Sequence, residues 1–147
     1  MVKKLTRALL TFALVVGALI VAPNSATAAG TCSGTRIDTI THRSSVTGNV
    51  VAHTGIYKLS NTRYCVRSLK YGVLNGTQTW MNLKVYETLG RTTVDLLDED
   101  YGHFYEYAGP LTVTVSSSDR CVAFGLDMKN RGGSYIVDSD DVYGPFC

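Results

Sequence analysis

Beyond the first thirty residues, apolar and polar residues alternate along the chain, and no segment shows helical periodicity of useful length. Alternation with a period of two places successive side chains on opposite faces of a strand. The alternating runs are separated by residues rich in Gly, Asn, Ser and Asp, the types that turns require. The pattern predicts a single-domain antiparallel β-sandwich of about eight strands, over residues 35–40, 50–60, 63–70, 77–87, 100–106, 111–115, 121–128 and 134–138.

The most regular stretch runs from Asp100 to Met128. Turn residues at 107–110 and 116–119 divide it into a strand, a corner and a two-strand hairpin. Asn75-Gly76 predicts a type I′ turn, because both residues tolerate positive φ. Residues 89–99 contain a glycine and an acidic cluster, and they are interpreted as a connection. The predicted core side of the hairpin consists of Leu111, Val113, Val115, Val122, Phe124, Leu126 and Met128.

The N-terminus has the three parts of a secretory signal peptide. A basic region with Lys3, Lys4 and Arg7 precedes the apolar run Ala8–Ala22, and Ala26-Thr27-Ala28 is a small-x-small cleavage site. The apolar run is shorter than the roughly 20 residues that span a bilayer. The sequence therefore predicts a signal peptide over residues 1–28, a β domain over 29–147, and no membrane insertion after processing.

The balance of basic and acidic residues changes once the predicted signal peptide is removed. Residues 29–147 hold eleven basic and twelve acidic residues, so the basicity of the whole chain belongs to its first segment. Nucleic acid is a poor candidate partner, because phosphate binding needs a clustered positive surface. Within the domain, residues 36–91 carry eight basic and two acidic residues, whereas 92–147 carry three and ten. The expected explanation is that strands of the two halves interleave and spread the charges over solvated surfaces.

The domain contains Cys32, Cys65, Cys121 and Cys147. An even number of cysteines in an exported chain indicates two disulfides, and the spacing fits no zinc site. Three connectivities are possible. Pairing of nearest neighbours, Cys32–Cys65 and Cys121–Cys147, is favoured because it ties each end of the domain to a strand that the end must pass. Both mid-chain cysteines also lie on the strand face opposite the apolar one.

No set of residues in the sequence matches a catalytic motif. The three histidines His42, His53 and His103 accompany no nucleophile elbow, no metal-binding helix motif and no free thiol. The acidic groups at 95–100 and 138–141 do not have the spacing of a calcium loop. The prediction is a protein that is not an enzyme and that uses no cofactor and no metal.

Aromatic residues are the remaining candidates for function. On an exposed face they would provide a platform on which a glycan or a peptide stacks, and on a buried face they would be part of the core. Glu106, on the opposite face of the alternating run, favours burial of the tyrosines. For Trp80 and Tyr86, a position under a neighbouring loop or at the rim of the core is favoured. The candidate binding residues are Tyr101, His103, Tyr105 and Tyr107 on one face of 100–109, and Trp80 and Tyr86 on the polar face of 77–87.

A series of short motifs, in a moderately specific order and spacing, extends over most of the domain. Through them the chain resembles the spore-associated protein A family, small secreted proteins of streptomycetes and related actinobacteria. The chain departs from the family pattern at Ala123 and Phe124, where the family has Asp and Trp. The shared features are Cys32-x-Gly34, Gly55-Ile56-Tyr57, Asn61, Cys65-Val66, Asp100-Tyr101-Gly102, Tyr107-Ala108-Gly109-Pro110, Cys121-Val122, Gly125 and the final Cys147.

The resemblance implies export and association with spores or the cell surface, without an established catalytic activity. We therefore expect a secreted, non-catalytic protein that is extracellular or bound to the spore or cell surface, with envelope components as partners. The alternative is a secreted binding module or enzyme inhibitor that uses an aromatic surface, and a small hydrolase is a third possibility. Whether the ligand is a glycan or a protein stays open at this point.

Overall fold

The structure is a computed structural model that describes residues 30–138 and 142–147. The predicted signal peptide lies outside the described residues. Within these two ranges, no helix is long and apolar enough to cross a membrane. The only helical element there is one 3-10 turn, Gly72–Leu74. The strands are β1 (Thr35–Arg43), β2 (Val50–Lys58), β3 (Arg63–Lys70), β4 (Thr79–Leu89), β5 (Thr92–Phe104), β6 (Tyr107–Thr114), β7 (Cys121–Lys129), β8 (Tyr135–Val137) and β9 (Tyr143–Phe146).

These strands form two antiparallel sheets. Sheet A has the order β1-β2-β3-β6, and sheet B has the order β5-β4-β7-β8, with β9 also paired to β7. The apolar faces of both sheets meet in one core, which includes Ile56, Val66, Met81 and Leu83. All seven residues predicted for the core side of the hairpin are buried in this core. The predicted all-β sandwich is therefore confirmed.

The prediction of a connection over 89–99 is wrong, because β5 begins at Thr92 and pairs with β4 along its whole length. Two register shifts, between Val85 and Tyr86 and between Glu87 and Thr88, interrupt the pairing. Bulges of this kind break the period of two that would have identified the strand. The first part of β5 is exposed on both faces, so its acidic side chains remain in water.

Asn75-Gly76 forms a turn, but not the predicted type I′ turn. Asn75 has φ −63° and ψ 132°, and Gly76 has φ 72°, which are the values of a type II turn. The Thr77 N–H donates to the Leu74 carbonyl at 3.1 Å. A type II turn needs only one residue with positive φ, which the glycine supplies. The turn carries the chain from β3 in sheet A to β4 in sheet B, so it does not close a hairpin.

The side chain of Lys70 stabilises the connection from β3 to β4. Its side chain is buried, and Nζ donates to the carbonyl oxygens of Thr77 and Phe104 and to Oγ1 of Thr79. Burial lowers the pKa of Lys70 below its ordinary value. The ammonium thereby joins the end of β3 to the start of β4 and the end of β5.

The aromatic residues that alternate over 100–109 do not lie on one face of a single strand. β5 ends at Phe104, residues 105 and 106 form a bend, and β6 begins at Tyr107 in the other sheet. Asp100 Oδ2 accepts a hydrogen bond from the Gly109 N–H at 2.6 Å, and this bond holds the two sheets together beyond the bend. The corner thus lies two residues before the predicted one, and the aromatic residues are divided between the two sheets.

Both predicted disulfides are present. Cys32–Cys65 attaches the N-terminal segment to β3, and Cys121–Cys147 attaches the C-terminal segment to β7, with Cα–Cα distances of 5.6 and 4.7 Å. Cys65 and Cys121 lie on the outer faces of their sheets but are buried, because the two terminal segments cover them. Two disulfides are typical of a protein that folds in an oxidising compartment.

Strands of both halves share each sheet, as expected, because β6 joins sheet A and β4 lies between β5 and β7, but the charges are not spread evenly. β1, β2 and β3 remain neighbours in sheet A, and β6, which joins them, contains no charged residue. Sheet A therefore keeps six of the eight basic residues of segment 36–91, while β5, at the edge of sheet B, keeps four carboxylates. The residues concerned are Arg36, Arg43, Lys58, Arg63, Arg67 and Lys70 with Asp38 in sheet A, and Asp95, Asp98, Glu99 and Asp100 in β5.

Candidate functional site

Four side chains form a row across the outer face of sheet B. Trp80 on β4 lies opposite His103 on β5 and opposite Lys129 on β7, and Lys129 lies opposite Tyr135 on β8. Neighbouring strands are about 4.8 Å apart, so the row spans roughly 14 Å. We call these four residues the sheet B row. They alternate with the core-facing Met81 and Met128, which explains why they face solvent.

Lys129 lies between two aromatic rings of this row. Its Nζ is 4.5 Å from the ring centroid of Trp80 and 4.4 Å from that of Tyr135. Both distances are in the range of cation–π attraction. Among the described residues, Lys129 forms no ion pair, and the two salt bridges found there are Lys84–Asp127 and Arg120–Glu87. The ammonium is held in position by rings and keeps its charge available to a ligand.

A cleft of about 410 Å³ opens on this row. Its lining has aromatic, amide and basic groups, and no carboxylate of the described part of the chain is among them. The lining residues are Gln78, Trp80, His103, Lys129, Asn130, Arg131 and Gly133. A site with stacking surface, hydrogen-bonding amides and positive charge can bind a polar or anionic molecule.

The β7–β8 turn builds one wall of the cleft. The Asn130 N–H donates to the Ser134 carbonyl at 2.9 Å, and Asn130 Oδ1 accepts from the Ser134 N–H at 3.0 Å. Gly133 has φ +83°, a conformation that a residue with a side chain rarely adopts. These features fix the turn, and the turn places the exposed Arg131 at the mouth of the cleft.

The next row on the same face is Tyr101, Asn82 and Asp127. Tyr101 is 65% exposed, so it extends the aromatic surface beside the cleft. Lys84 Nζ is 3.0 Å from Asp127 Oδ2, and the hydrogen bond raises the pKa of Lys84. The negative charge nearest to Lys129 along β7 is therefore balanced by another lysine.

The structure brings together only some of the candidate binding residues. Trp80, His103 and Tyr101 lie side by side, whereas Tyr86 lies six residues along β4, roughly 20 Å away on the same face. Tyr105 lies in the bend after β5 and is 59% exposed. Tyr107 belongs to sheet A and is half-buried under the Arg67 guanidinium, 4.8 Å from its ring centroid.

The expected burial of the tyrosines is therefore wrong for Tyr101 and Tyr105. Glu106 does not lie on the face opposite them, because the chain bends between β5 and β6. A second depression of about 350 Å³ lies at this bend and shares His103 with the cleft. Its other lining residues are Phe104, Tyr105, Glu106 and Tyr107.

Sequence reasoning missed Gln78, Lys129, Asn130, Arg131 and Tyr135. Alternation does show that Lys129 faces away from the core, because it follows the core residue Met128. The register of β4 on β7 is what places Lys129 beside Trp80, and that pairing joins residues 49 positions apart. No local sequence pattern encodes such a pairing.

The three histidines lie in three different places. His103 lines the cleft, and His53 on the outer face of sheet A is 3.0 Å from Thr41 Oγ1. His42 is buried in the core, where Nε2 lies 2.9 Å from Thr54 Oγ1 and the Thr54 hydroxyl donates to Ser68 at 3.0 Å. Burial, with a smaller contribution from His53, lowers the pKa of His42 to about 4. His42 therefore belongs to a closed internal network, away from the cleft.

In the part of the chain that the structure describes, no group of three or more His, Cys, Asp or Glu side chains is arranged to hold a metal ion. No protein-family model, curated protein or solved structure matches the chain. The resemblance to the spore-associated protein A family stays a prediction from the sequence motifs.

Proposed function

We propose that this is an exported, non-catalytic protein that associates with the spore or cell envelope by binding a surface glycan through the outer face of sheet B. The observation that carries the proposal is the sheet B row, in which two aromatic rings and two basic side chains lie on the solvent side of the sheet.

The chemistry of the cleft supports a glycan as ligand. Sugars present apolar C–H faces that stack on aromatic rings, and hydroxyls that exchange hydrogen bonds with amides. Trp80 supplies a half-buried ring, and Gln78 and Asn130 supply amide donors and acceptors beside it. Tyr101 and Tyr135 are exposed on the same face. Aromatic residues on a solvent face are not needed to build a core, so a ligand is a reason for their presence.

Export is supported by other observations. The two disulfides fit an oxidising environment. The N-terminal sequence has the parts of a signal peptide, and the family resemblance implies association with spores or the cell surface.

The proposal is tested by cosedimentation of the processed protein with isolated spore and cell-wall material. The wild type is expected to sediment with the material, and Trp80→Ala to lose at least tenfold in apparent affinity, because the central ring of the row is removed. Tyr71→Ala is the matched control, since Tyr71 is an exposed tyrosine outside the cleft, in contact with His53 of sheet A. Equal sedimentation of the Trp80→Ala variant and the wild type would contradict the proposal.

A further inference from the structure

We infer that the cleft at Trp80 recognises an acidic glycan, a saccharide that carries carboxylate or phosphate groups, and that Lys129 and Arg131 bind the anionic group. The inference rests on the proposed function and specifies that the glycan ligand is anionic. The argument depends on the balance of charge in the cleft, on the position of Lys129 and on the groups around it.

The cleft is electropositive. Lys129 and Arg131 line it together with His103, and none of the acidic residues within 30–138 and 142–147 does. Neither cation forms a salt bridge with a described carboxylate. The acidic side chain that shares the outer face of β7 with Lys129 is Asp127, and it is bound to Lys84 at 3.0 Å. Positive charges gathered in a concave site raise the local concentration of anions.

Lys129 is already positioned for an anion. A free lysine side chain must lose rotamer freedom when it binds a ligand, and this loss weakens binding. The rings of Trp80 and Tyr135, at 4.5 and 4.4 Å from Nζ, hold the ammonium before any ligand arrives. The rings also displace part of its water, but their faces attract a cation less strongly than a charged oxygen does. A carboxylate or phosphate can therefore bind Nζ without reorganising the site.

The neighbouring groups favour a saccharide over a simple anion. The cleft volume of about 410 Å³ lies in the range of small-molecule sites, roughly 300 to 1,000 Å³. Gln78 and Asn130 provide amides for hydroxyl groups, and Tyr101 continues the aromatic surface into the next row. A row of roughly 14 Å is long enough for more than one sugar ring.

The chain contains one tryptophan, and it lies in the cleft, so fluorescence excited at wavelengths that tyrosine does not absorb reports this site alone. We suggest titrating the processed protein with three probes: trigalacturonate, its neutral counterpart galactotriose, and a glycerol phosphate oligomer. At low ionic strength, at least one anionic probe is expected to bind tenfold or more tightly than the neutral one. Its affinity is expected to fall as salt is added, because salt screens exposed charges. The carboxylate and phosphate probes distinguish the two sources of negative charge.

The variants Lys129→Gln and Arg131→Gln test the assigned residues. Each is expected to weaken binding of the anionic probe at least fivefold and to leave binding of the neutral probe within twofold. Arg91→Gln is the matched control, since it makes the same charge change on an exposed residue at the β4–β5 turn, outside the cleft. Arg131 lies in an exposed turn, so its variant keeps the test valid if the Lys129 variant fails to fold.

Each other result has a defined meaning. Equal affinity for charged and neutral trisaccharides would overturn the inference and leave the proposed function standing. If no saccharide binds and the protein also fails to sediment with envelope material, both are overturned. If a peptide with a free C-terminal carboxylate binds and no saccharide does, the ligand is a peptide and the inference is wrong.

Discussion

His42 shows how one buried side chain makes stability depend on pH. The Thr54 hydroxyl has one proton and donates it to Ser68, so Nε2 of His42 must be the donor toward Thr54. Nδ1 is then an unprotonated nitrogen, buried without a hydrogen-bond partner among the described residues. Protonation would place a charge there with no acceptor. The surrounding rings of Phe124 and Tyr143 offer edge contacts but no such acceptor to the imidazole.

We predict that the free energy of unfolding falls as the pH is lowered from about 6.5 to about 4. The pKa of His42 is about 4 in the folded protein and near its ordinary 6.5 in the unfolded chain, so the unfolded state binds the additional proton within this window. The full loss is on the order of 3 kcal/mol and is complete below the folded pKa. Denaturant unfolding at pH 7.0, 5.5 and 4.5 measures it.

Replacement of His42 separates this effect from the titration of other groups. His42→Gln is expected to be less stable at pH 7 and to show a flatter dependence between pH 6.5 and 4, because the titrating group is gone. His53→Gln should keep most of the slope, since His53 is the smaller cause of the shift. An unchanged slope in the His42→Gln variant would show that other groups are responsible.

At the scale of elements, the corner between β5 and β6 determines how the two sheets are joined. Gly109 has φ +81°, and a Cβ at this position would lie 2.9 Å from the Val66 carbonyl oxygen. Its N–H is bound by the Asp100 carboxylate. The corner therefore needs a residue with no side chain, both for its backbone conformation and for its close approach to β3.

We predict that Gly109→Ala lowers the free energy of unfolding by about 2 to 4 kcal/mol, which combines the cost of a left-handed backbone with a backbone clash. Gly76→Ala is the control. Gly76 has φ +72° but open space around it, so it should lose only about 1 kcal/mol, for the backbone conformation alone. Denaturant unfolding of both variants measures the difference. Equal losses would show that the contact with Val66 does not matter.

Local pattern was sufficient for most strands, but it missed β9 and the first part of β5. β3 matches its predicted bounds, Arg63–Lys70, because a polar turn precedes it and its core-facing residues follow at every second position. The first part of β5 was missed because its bulges disturb the alternation and because carboxylates are unusual in strands. An edge strand tolerates such residues, since charges and bulges protect it from pairing with another chain. Whether a strand lies at an edge is a property of the sheet, which a local pattern does not contain.

At the scale of the molecule, the disulfides stabilise two separate parts. One bridge belongs to sheet A and the other to sheet B, and they close loops with sequence separations of 33 and 26. In the chain-entropy model, loops of this size contribute about 3.5 kcal/mol each.

We predict that Cys32→Ser/Cys65→Ser and Cys121→Ser/Cys147→Ser each lower the free energy of unfolding by about 3 to 4 kcal/mol. Because the bridges lie in different sheets, the quadruple variant should lose the sum of the two, within about 0.5 kcal/mol. Urea unfolding of the three variants gives the comparison. A loss in the quadruple variant well below that sum would mean that the bridges act on one shared segment.

The candidate site could be predicted only in part, because its residues come together through strand pairing across the whole molecule. The sequence identified Trp80 as a candidate on the polar face of its run, and Tyr101 and His103 as candidates on an aromatic face of theirs. It could not place Lys129 and Tyr135 beside them, since β7 and β8 meet β4 only through long-range pairing. The uneven distribution of basic and acidic residues between the two sheets could not be predicted for the same reason. Strand order decides whether basic and acidic segments mix, and here β1, β2 and β3 stay together.

The connectivity of the disulfides also bears on how the protein matures. Each cysteine bonds to its neighbour in the sequence, the first to the second and the third to the fourth. A chain that crosses a membrane N-terminus first presents its cysteines to an oxidant in that same order. Cys32 and Cys65 can join before Cys121 has emerged, and Cys147 then finds only one thiol left. If the chain is exported as proposed, the order of emergence favours the two observed bonds over the other pairings.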